Sequence, residues 1–444
     1  MKKKKIIIIG GGLAGVEAAY QVSKRGIDVE LYEMRPGSMT EAHTTGFLGE
    51  LVCSNSLGAT QLSTASGLLK EELKMLDSFF LQIAEKNRVP AGSSFSVDRI
   101  KLAESITREI EKIPNITIIN QEVKDIPETD SPIIIASGPL TSDDFANNLT
   151  KLTMRKNLFF FDATSPIINA ETIDFDRVFM ASRYDKGDAD FVNIPLDEAQ
   201  YGEFVNDLIT AEQVEIKDLE KDMFFDACLP IEEIARRGEK SLAFGPLKPV
   251  GLADPKTNRM PFAVIQLRQD DLKKNFYQMV GFQTRLKWGE QKRIFRKLPG
   301  LEKAEFERYG RMHRNTYINA PLIINKFYQC KTNLDIFFAG QICGVEGYVE
   351  SICSGLLVGI FAAQRLLNNP LYNLPETTAS GALLHYVSQS QWKNFKPTKF
   401  SFGLLPELEA GAKKRRRLKK KEKKELKAKI ALESLAKWIT KAQI

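Results

Sequence analysis

Four isoleucines in a row, Ile6 to Ile9, run into three glycines, and the apolar positions beyond them change period. Leu13, Val16, Ala19, Tyr20 and Val22 recur at helical spacing, and Asp28 to Glu33 returns to an extended pattern. This predicts one βαβ unit over the first 35 residues. Helical stretches over Gly67 to Glu85 and Val97 to Ile113, with strands over Thr117 to Ile119 and Ile133 to Ala136, continue an α/β alternation. From about Phe161 to Leu286 the texture changes to short strands and irregular segments rich in Pro and Gly, such as Gly245 to Gly251, which predicts a second domain inserted into the first. A strand over Ile336 to Ala339 and a small-residue helix over Gly347 to Leu367 restore the α/β character. The last ~30 residues predict a basic amphipathic helix with Leu426, Ile430, Leu435, Trp438 and Ile439 on one side. The expected division is a discontinuous nucleotide domain over 1–175 and 325–410, an inserted α+β domain over 176–324, and a basic C-terminal helix over 411–444.

Charge and cysteine content narrow this picture. The formal charge is +7, but residues 413–429 alone hold 12 Lys/Arg against 2 Glu, and residues 1–412 carry 49 basic and 53 acidic side chains. The positive excess is therefore a C-terminal device; a solvated charged helix is the usual reading of a lysine-rich segment, but contact with the phosphates of a polyanion is the expectation here. The five cysteines are odd in number and none form a C-x-x-C pair, so neither a disulfide framework nor a metal site is expected. Apolar runs are short against the roughly 20 residues that span a bilayer. A reducing, cytoplasmic setting is expected, with no membrane partner.

The glycines carry the first chemistry. Gly10-x-Gly12-x-x-Gly15 stands between strand and helix, and Glu33 closes the second strand 18 residues after Gly15. Gly10 allows the tight turn, Gly12 lets a pyrophosphate approach the backbone, Gly15 lets the helix pack closely, and Glu33 accepts from ribose hydroxyls. Gly11, Leu13 and Ala14 complete the turn. An acid at 33 favours an unphosphorylated ribose, hence FAD or NAD. Two further turns, Ser137-Gly138-Pro139 after a buried strand and Ala339-Gly340-Gln341 before a small-residue helix, resemble the second and third flavin-contacting turns of disulfide-reductase-like proteins and favour FAD. The expected fold is an FAD-binding Rossmann-like domain.

Longer strings are more specific: GGGLAGVEAAYQ at 10–21, LYEMRP at 31–36, ELVCSNSL at 50–57, SRYDKG at 182–187, FGPLKPVGL at 244–252, PGLEKAEFERYGRMHRNT at 299–316 and FFAGQICGVEGYVES at 337–351. Together they resemble the bacterial folate- and FAD-dependent tRNA (uracil-5-)-methyltransferase family nearly end to end. That resemblance implies an enzyme in which methylenetetrahydrofolate supplies a carbon to C5 of uridine 54 in the T-loop of tRNA. FAD, reduced by NADPH or NADH, is the methylene carrier and hydride donor.

Uracil C5 becomes nucleophilic only after something adds at C6, and its proton must afterwards be removed. The resemblance assigns the addition at C6 to Cys228, although Ala227 stands where the family more often has glycine. It assigns Cys53 a place by the flavin and a part in proton removal, and His313 a stacking role against the folate pteridine. Residues alone would make a cysteine between Ala227 and Leu229 a small buried hydrophobe. Arg268, Arg311 and Arg314 are candidates for the folate carboxylates, or simply for ion pairs. Three alternatives stay open: the same chemistry on a uridine of 23S rRNA, a nicotinamide-dependent flavin oxidoreductase acting on a small molecule, and an RNA-binding protein that keeps FAD for structure. Oligomeric state is not legible.

Overall fold

The structure, a computed structural model, describes residues 5–155, 158–185, 188–215, 229–408 and 419–444. Cys228 and the basic residues 413–418 lie outside them. The isoleucine run forms the strand Lys5–Ile9, flanked in parallel by Asp28–Tyr32 and Ile133–Ile135. Ile6 to Ile9 are all buried, as expected of a central parallel strand covered on both faces. Ile116–Ile119 pairs with the outer side of Asp28–Tyr32, and Asn333–Phe338 pairs with Ile133–Ile135, so the sheet takes strands from both halves of the chain. A short antiparallel strand, Gln329–Cys330, closes the edge.

The fingerprint helix Leu13–Ser23 lies against this sheet and against the long helix Tyr348–Leu366. That second helix passes the length and apolarity test for a membrane span, yet it is a core helix, buried at Ile352, Leu356, Leu357 and Ile360. The two helices approach closely at Gly355 and Gly359. A Cβ on Gly355 would stand 2.2 Å from the Ala14 carbonyl oxygen, and one on Gly359 would stand 2.8 Å from that of Ala18.

The helix predicted over Gly67 to Glu85 is two helices, Ala65–Met75 and Phe79–Lys86. Asp77 takes φ 60 and Ser78 caps the second helix. The buried carboxylate of Glu17, on the fingerprint helix, accepts from Ser78 Oγ at 2.8 Å and from Phe80 N at 2.9 Å, satisfying amides that a continuous helix would have paired internally.

A second sheet is wholly antiparallel, in the order Phe179–Met180, Phe191–Leu196, Ala263–Gln269, Phe276–Met279, Ile167–Asn169, Phe306–Arg308. Helices Glu198–Thr210, Ile231–Arg236 and Trp288–Phe295 close its separate core. The chain enters this layer along the strand Leu158–Ala163 and leaves along Met312–Tyr317, and those two strands pair with each other as an antiparallel ribbon. A small three-stranded sheet, Ser56–Ala59 with Ser94–Val97 and Arg88–Val89, adjoins the first core.

The C-terminal helix runs over Lys420–Ala442 and docks on the first core through Ala428, Ala431, Leu435, Trp438 and Ala442, a run at spacings of three and four. Trp438 Nε1 donates to the Tyr372 carbonyl at 3.2 Å. The apolar stripe expected from sequence is shifted: alanines fill the contact, while Leu426 and Ile430 are only half-buried at its margin.

Candidate active site

The three glycine turns meet at one cleft of about 1010 Å³, its open mouth included, lined by Gly10, Gly12, Leu13, Ala14, Glu33, Gly138, Gly340 and Gln341. Gly10 holds φ +105, and a Cβ on Gly15 would stand 1.8 Å from the Gly10 carbonyl oxygen, so turn and helix fit only with both glycines. Gly12 and Gly138 differ: a Cβ at either would meet nothing within 4 Å. Both present bare backbone to the cleft. The N-terminal ends of Leu13–Ser23 and Tyr348–Leu366 both reach it, through Leu13, Ala14, Tyr348 and Ser351.

Glu33 is fixed by its neighbours. It accepts from Gly11 N at 2.9 Å, from Arg35 N at 3.0 Å and from Arg35 Nε at 2.9 Å. Burial pushes its carboxyl up, but the Arg35 guanidinium and these amides outweigh burial and hold it below the usual carboxylate range. Arg35 is itself buried and also donates to Glu50 Oε2 at 3.2 Å. Glu50 in turn accepts from the amides of Thr44 and Thr45, at 2.8 and 3.0 Å. The loop of residues 40–45 is thereby tied to the cleft wall, where Thr40 and His43 face inward. Burial, with the Arg35 charge, pushes His43 down to about 4, so its ring is neutral.

At the cleft's other end, the Tyr348 hydroxyl accepts from Cys53 N at 2.8 Å and Ser54 N at 3.0 Å. The second sheet grips the same turn from the opposite side. Gln278 Nε2 donates to the Cys53 carbonyl at 2.8 Å, Arg308 Nη1 to that of Val52 at 3.2 Å, and Arg268 Nη2 to Ser54 Oγ at 3.0 Å. Cys53 Sγ lies 3.8 Å from the Ala163 carbonyl. Burial first, then nearby Asp162, push its thiol up to about 12 against the opposing charges of Arg308 and Lys399, so it is protonated at neutral pH. Glu346, whose carboxylate accepts from Gln341 Nε2, is pushed up to about 8 by burial and by Asp162.

His313 is buried on the ribbon strand, opposite Asp162 in register, and burial lowers its basicity. Its Nδ1 has no hydrogen-bond partner among the described residues. It does not line the glycine cleft. Its neighbours Arg311 and Met312 line a second, open cavity with Glu41, Arg285 and Trp288. Of the candidate folate-binding arginines, Arg268 is buried and committed to Ser54 and Gln278, whereas Arg311 and Arg314 are exposed and lie over the rings of Trp288 and Phe159, at 4.9 and 4.0 Å from the ring centres. Cys228 lies outside the described residues; of the described residues nearest it in sequence, Val214 N donates to the Arg285 carbonyl at 2.9 Å, and Ile231 N to that of Gln283 at 2.7 Å.

The family model described as "Glucose inhibited division protein A" matches residues 5–370. "Methylenetetrahydrofolate--tRNA-(uracil-5-)-methyltransferase TrmFO" of Bacillus velezensis is 49% identical over 435 residues, covering 98% of both chains. The protein of the same name from Listeria monocytogenes serotype 4b is 51% identical, covering 92% of this chain and 93% of its own. The chain belongs to the TrmFO family. A solved structure of Aquifex aeolicus GidA superposes with a TM-score of 0.67 at 15% identity, covering 99% of this chain and 76% of that one, which shows the shared α/β FAD-binding Rossmann-like fold.

The cleft of this TrmFO-family chain fits FAD. Two open glycines, two helix ends and an ionised acid at the end of the second strand form a cradle that any larger residue at 12 or 138 would begin to fill. Among the described residues no group of three or more His, Cys, Asp or Glu is placed to hold a metal. Sequence reasoning missed Arg35, Glu50, Tyr348, Arg308 and Gln278. Arg35 and Tyr348 stood inside the family strings LYEMRP and GVEGYVES, but a string does not say that a tyrosine hydroxyl will collect the amides of a turn 295 residues away.

Proposed function

We propose that this chain methylates C5 of uridine 54 in the T-loop of tRNA, taking the carbon from methylenetetrahydrofolate, with NADPH or NADH as the source of electrons. Bound FAD supplies the carbon-carrying and redox chemistry. The observation that carries the reading is the Tyr348 bridge, which fastens the Cys53 turn to the end of the dinucleotide cleft. Its support in sequence is the near full-length similarity to proteins named as tRNA methyltransferases, which also favours tRNA over 23S rRNA as substrate.

In this reading the Cys228 thiolate adds to uracil C6 and makes C5 nucleophilic, C5 takes up the one-carbon unit, and a base then removes the C5 proton so that the thiolate can leave. Cys53 is the proposed proton acceptor. As a neutral thiol at rest it must first lose its own proton, and Arg308 and Lys399 are the cations that favour that loss. His313, neutral and with one ring nitrogen unpartnered, is the proposed pteridine contact. The exposed lysines of the C-terminal helix are proposed to meet RNA phosphates.

The test is transfer of label from isotopically labelled methylenetetrahydrofolate, with a reduced nicotinamide present, into unmodified tRNA and separately into a 23S rRNA fragment. Label at the T-loop uridine that vanishes in Cys228→Ala supports substrate and nucleophile together. Nicotinamide oxidation with label in neither RNA would leave a flavin reductase.

A further inference from the structure

Beside the second cavity, Trp288 is 52% exposed. Its ring stacks on Tyr309, with centroids 5.8 Å apart and planes at 16°, and Tyr309 stacks on Phe306 at 5.1 Å and 26°. The Arg311 guanidinium lies 4.9 Å from the Trp288 ring centre, and along the ribbon Arg314 lies 4.0 Å from that of Phe159. Neither arginine has a carboxylate partner among the described residues, and both are exposed. A ladder of three rings leads out to solvent and ends at a guanidinium that makes no ion pair among the described residues, so a flat apolar face and a cation stand side by side. This arrangement suits a ligand that is flat and anionic at once.

We infer that Trp288, backed by Tyr309 and flanked by Arg311 and Arg314, is a stacking platform for an unpaired nucleotide of the RNA substrate. The base takes the ring contact that Arg311 now holds, and the guanidinium turns to a phosphate. Two observations favour RNA over the folate tail. A small ligand needs a pocket that buries most of its surface, whereas this ring is more than half exposed; nucleotides of looped RNA stack on such rings without base-specific contacts. In addition, Ile231, three positions after Cys228 in the sequence, donates its backbone N–H to the Gln283 carbonyl beside this cavity. The chain leading to the nucleophile thus starts from this side of the molecule, and RNA is expected to approach from it, a step that rests on Cys228 being the nucleophile as proposed above.

The experiment measures binding of a fluorescently labelled, unmodified tRNA transcript to the FAD-loaded protein at one fixed salt concentration, then as salt is varied. Trp288→Ala is expected to bind about five- to a hundredfold more weakly. Trp288→Phe should recover most of the affinity, and Arg311→Gln should lower both affinity and salt dependence. Retention of FAD reports that each variant is folded, and perturbation of the flavin spectrum by tetrahydrofolate is expected to be unchanged in the two Trp288 variants. A tRNA affinity for Trp288→Ala within twofold of wild type overturns the platform. So does a loss confined to tetrahydrofolate binding, which would assign the rings to the folate tail. Methylation surviving in Cys228→Ala would refute the nucleophile and leave the binding result standing.

Discussion

Glu346 is buried against Asp162, Glu350, Lys399 and Gln341, with its carboxyl pushed up to about 8 by burial and by Asp162. A carboxyl raised above its unfolded value of 4.5 holds a proton in the folded protein that the unfolded chain has released. Its stabilising contribution is complete below about 4.5, and it is lost as pH rises towards about 8. Melting temperatures measured from about pH 6.5 to 8, above the range in which the lowered histidines act in the opposite sense, should accordingly fall with pH, and Glu346→Gln should flatten that slope; an unaltered slope would mean that Glu346 is ionised in the fold. The Cys53 thiol is protonated for the same reason, so iodoacetamide should modify it far more slowly at pH 7 than it modifies an exposed cysteine in a reference peptide, as read by mass spectrometry. Individual residues were legible where local spacing determines where they sit, as Gly10, Gly12, Gly15 and Glu33 stand in the cleft wall or turn that their pattern predicts. The elevated carboxyl was not legible, because burial depends on what the rest of the chain brings to residue 346.

Secondary-structure elements followed the apolar period closely where one partner dominated, as in the isoleucine strand, and drifted where a distant group intervened, as Glu17 does at the break before Phe79. In the C-terminal helix the period was clear, but the contact is made by Ala428, Ala431 and Ala442 with Leu435 and Trp438, and small residues give no hydropathy signal of their own. Leu435→Ala should cost about 2–5 kcal/mol in denaturant unfolding. Replacing Lys420, Lys421 and Lys423 on the exposed side with Gln should leave stability nearly unchanged while lowering the salt slope of tRNA binding by up to about one for each phosphate no longer neutralised. Where the helices Leu13–Ser23 and Tyr348–Leu366 cross, Gly355→Val should destabilise by about 1–3 kcal/mol and release FAD, because the displaced backbone at Ala14 belongs to the cradle. Intact flavin content in that variant would show that the crossing tolerates a side chain.

Across the whole molecule, the two sheets are joined around the Cys53 turn. Asn55 Nδ2 donates to the Gln269 carbonyl at 2.9 Å, and Arg99 pairs with Asp270 at 2.6 Å, both side chains of that pair being almost fully buried. Asp270→Ala leaves the Arg99 charge buried without its partner, and about 3–5 kcal/mol of stability should be lost; denaturant titration would reveal it. A loss below about 1 kcal/mol would mean that water reaches Arg99. None of this junction was legible, because its hydrogen bonds connect residues more than 150 positions apart and no local pattern marks them. The α/β alternation and the change of texture after Phe161 were legible, since each sheet is built from runs whose apolar period is local.

The pairing of Ile133–Ile135 with Phe338 and its neighbours has a consequence in time. Roughly 200 residues separate the two strands, and at about 5–20 residues per second a ribosome needs some 10–40 s to make them. For that interval the nascent nucleotide sheet has an unpaired edge of three isoleucines, and the antiparallel layer is complete before the parallel one that precedes it. The middle of the chain is thus the first part to mature, and the flavin site is assembled last, on an edge left open while it waits.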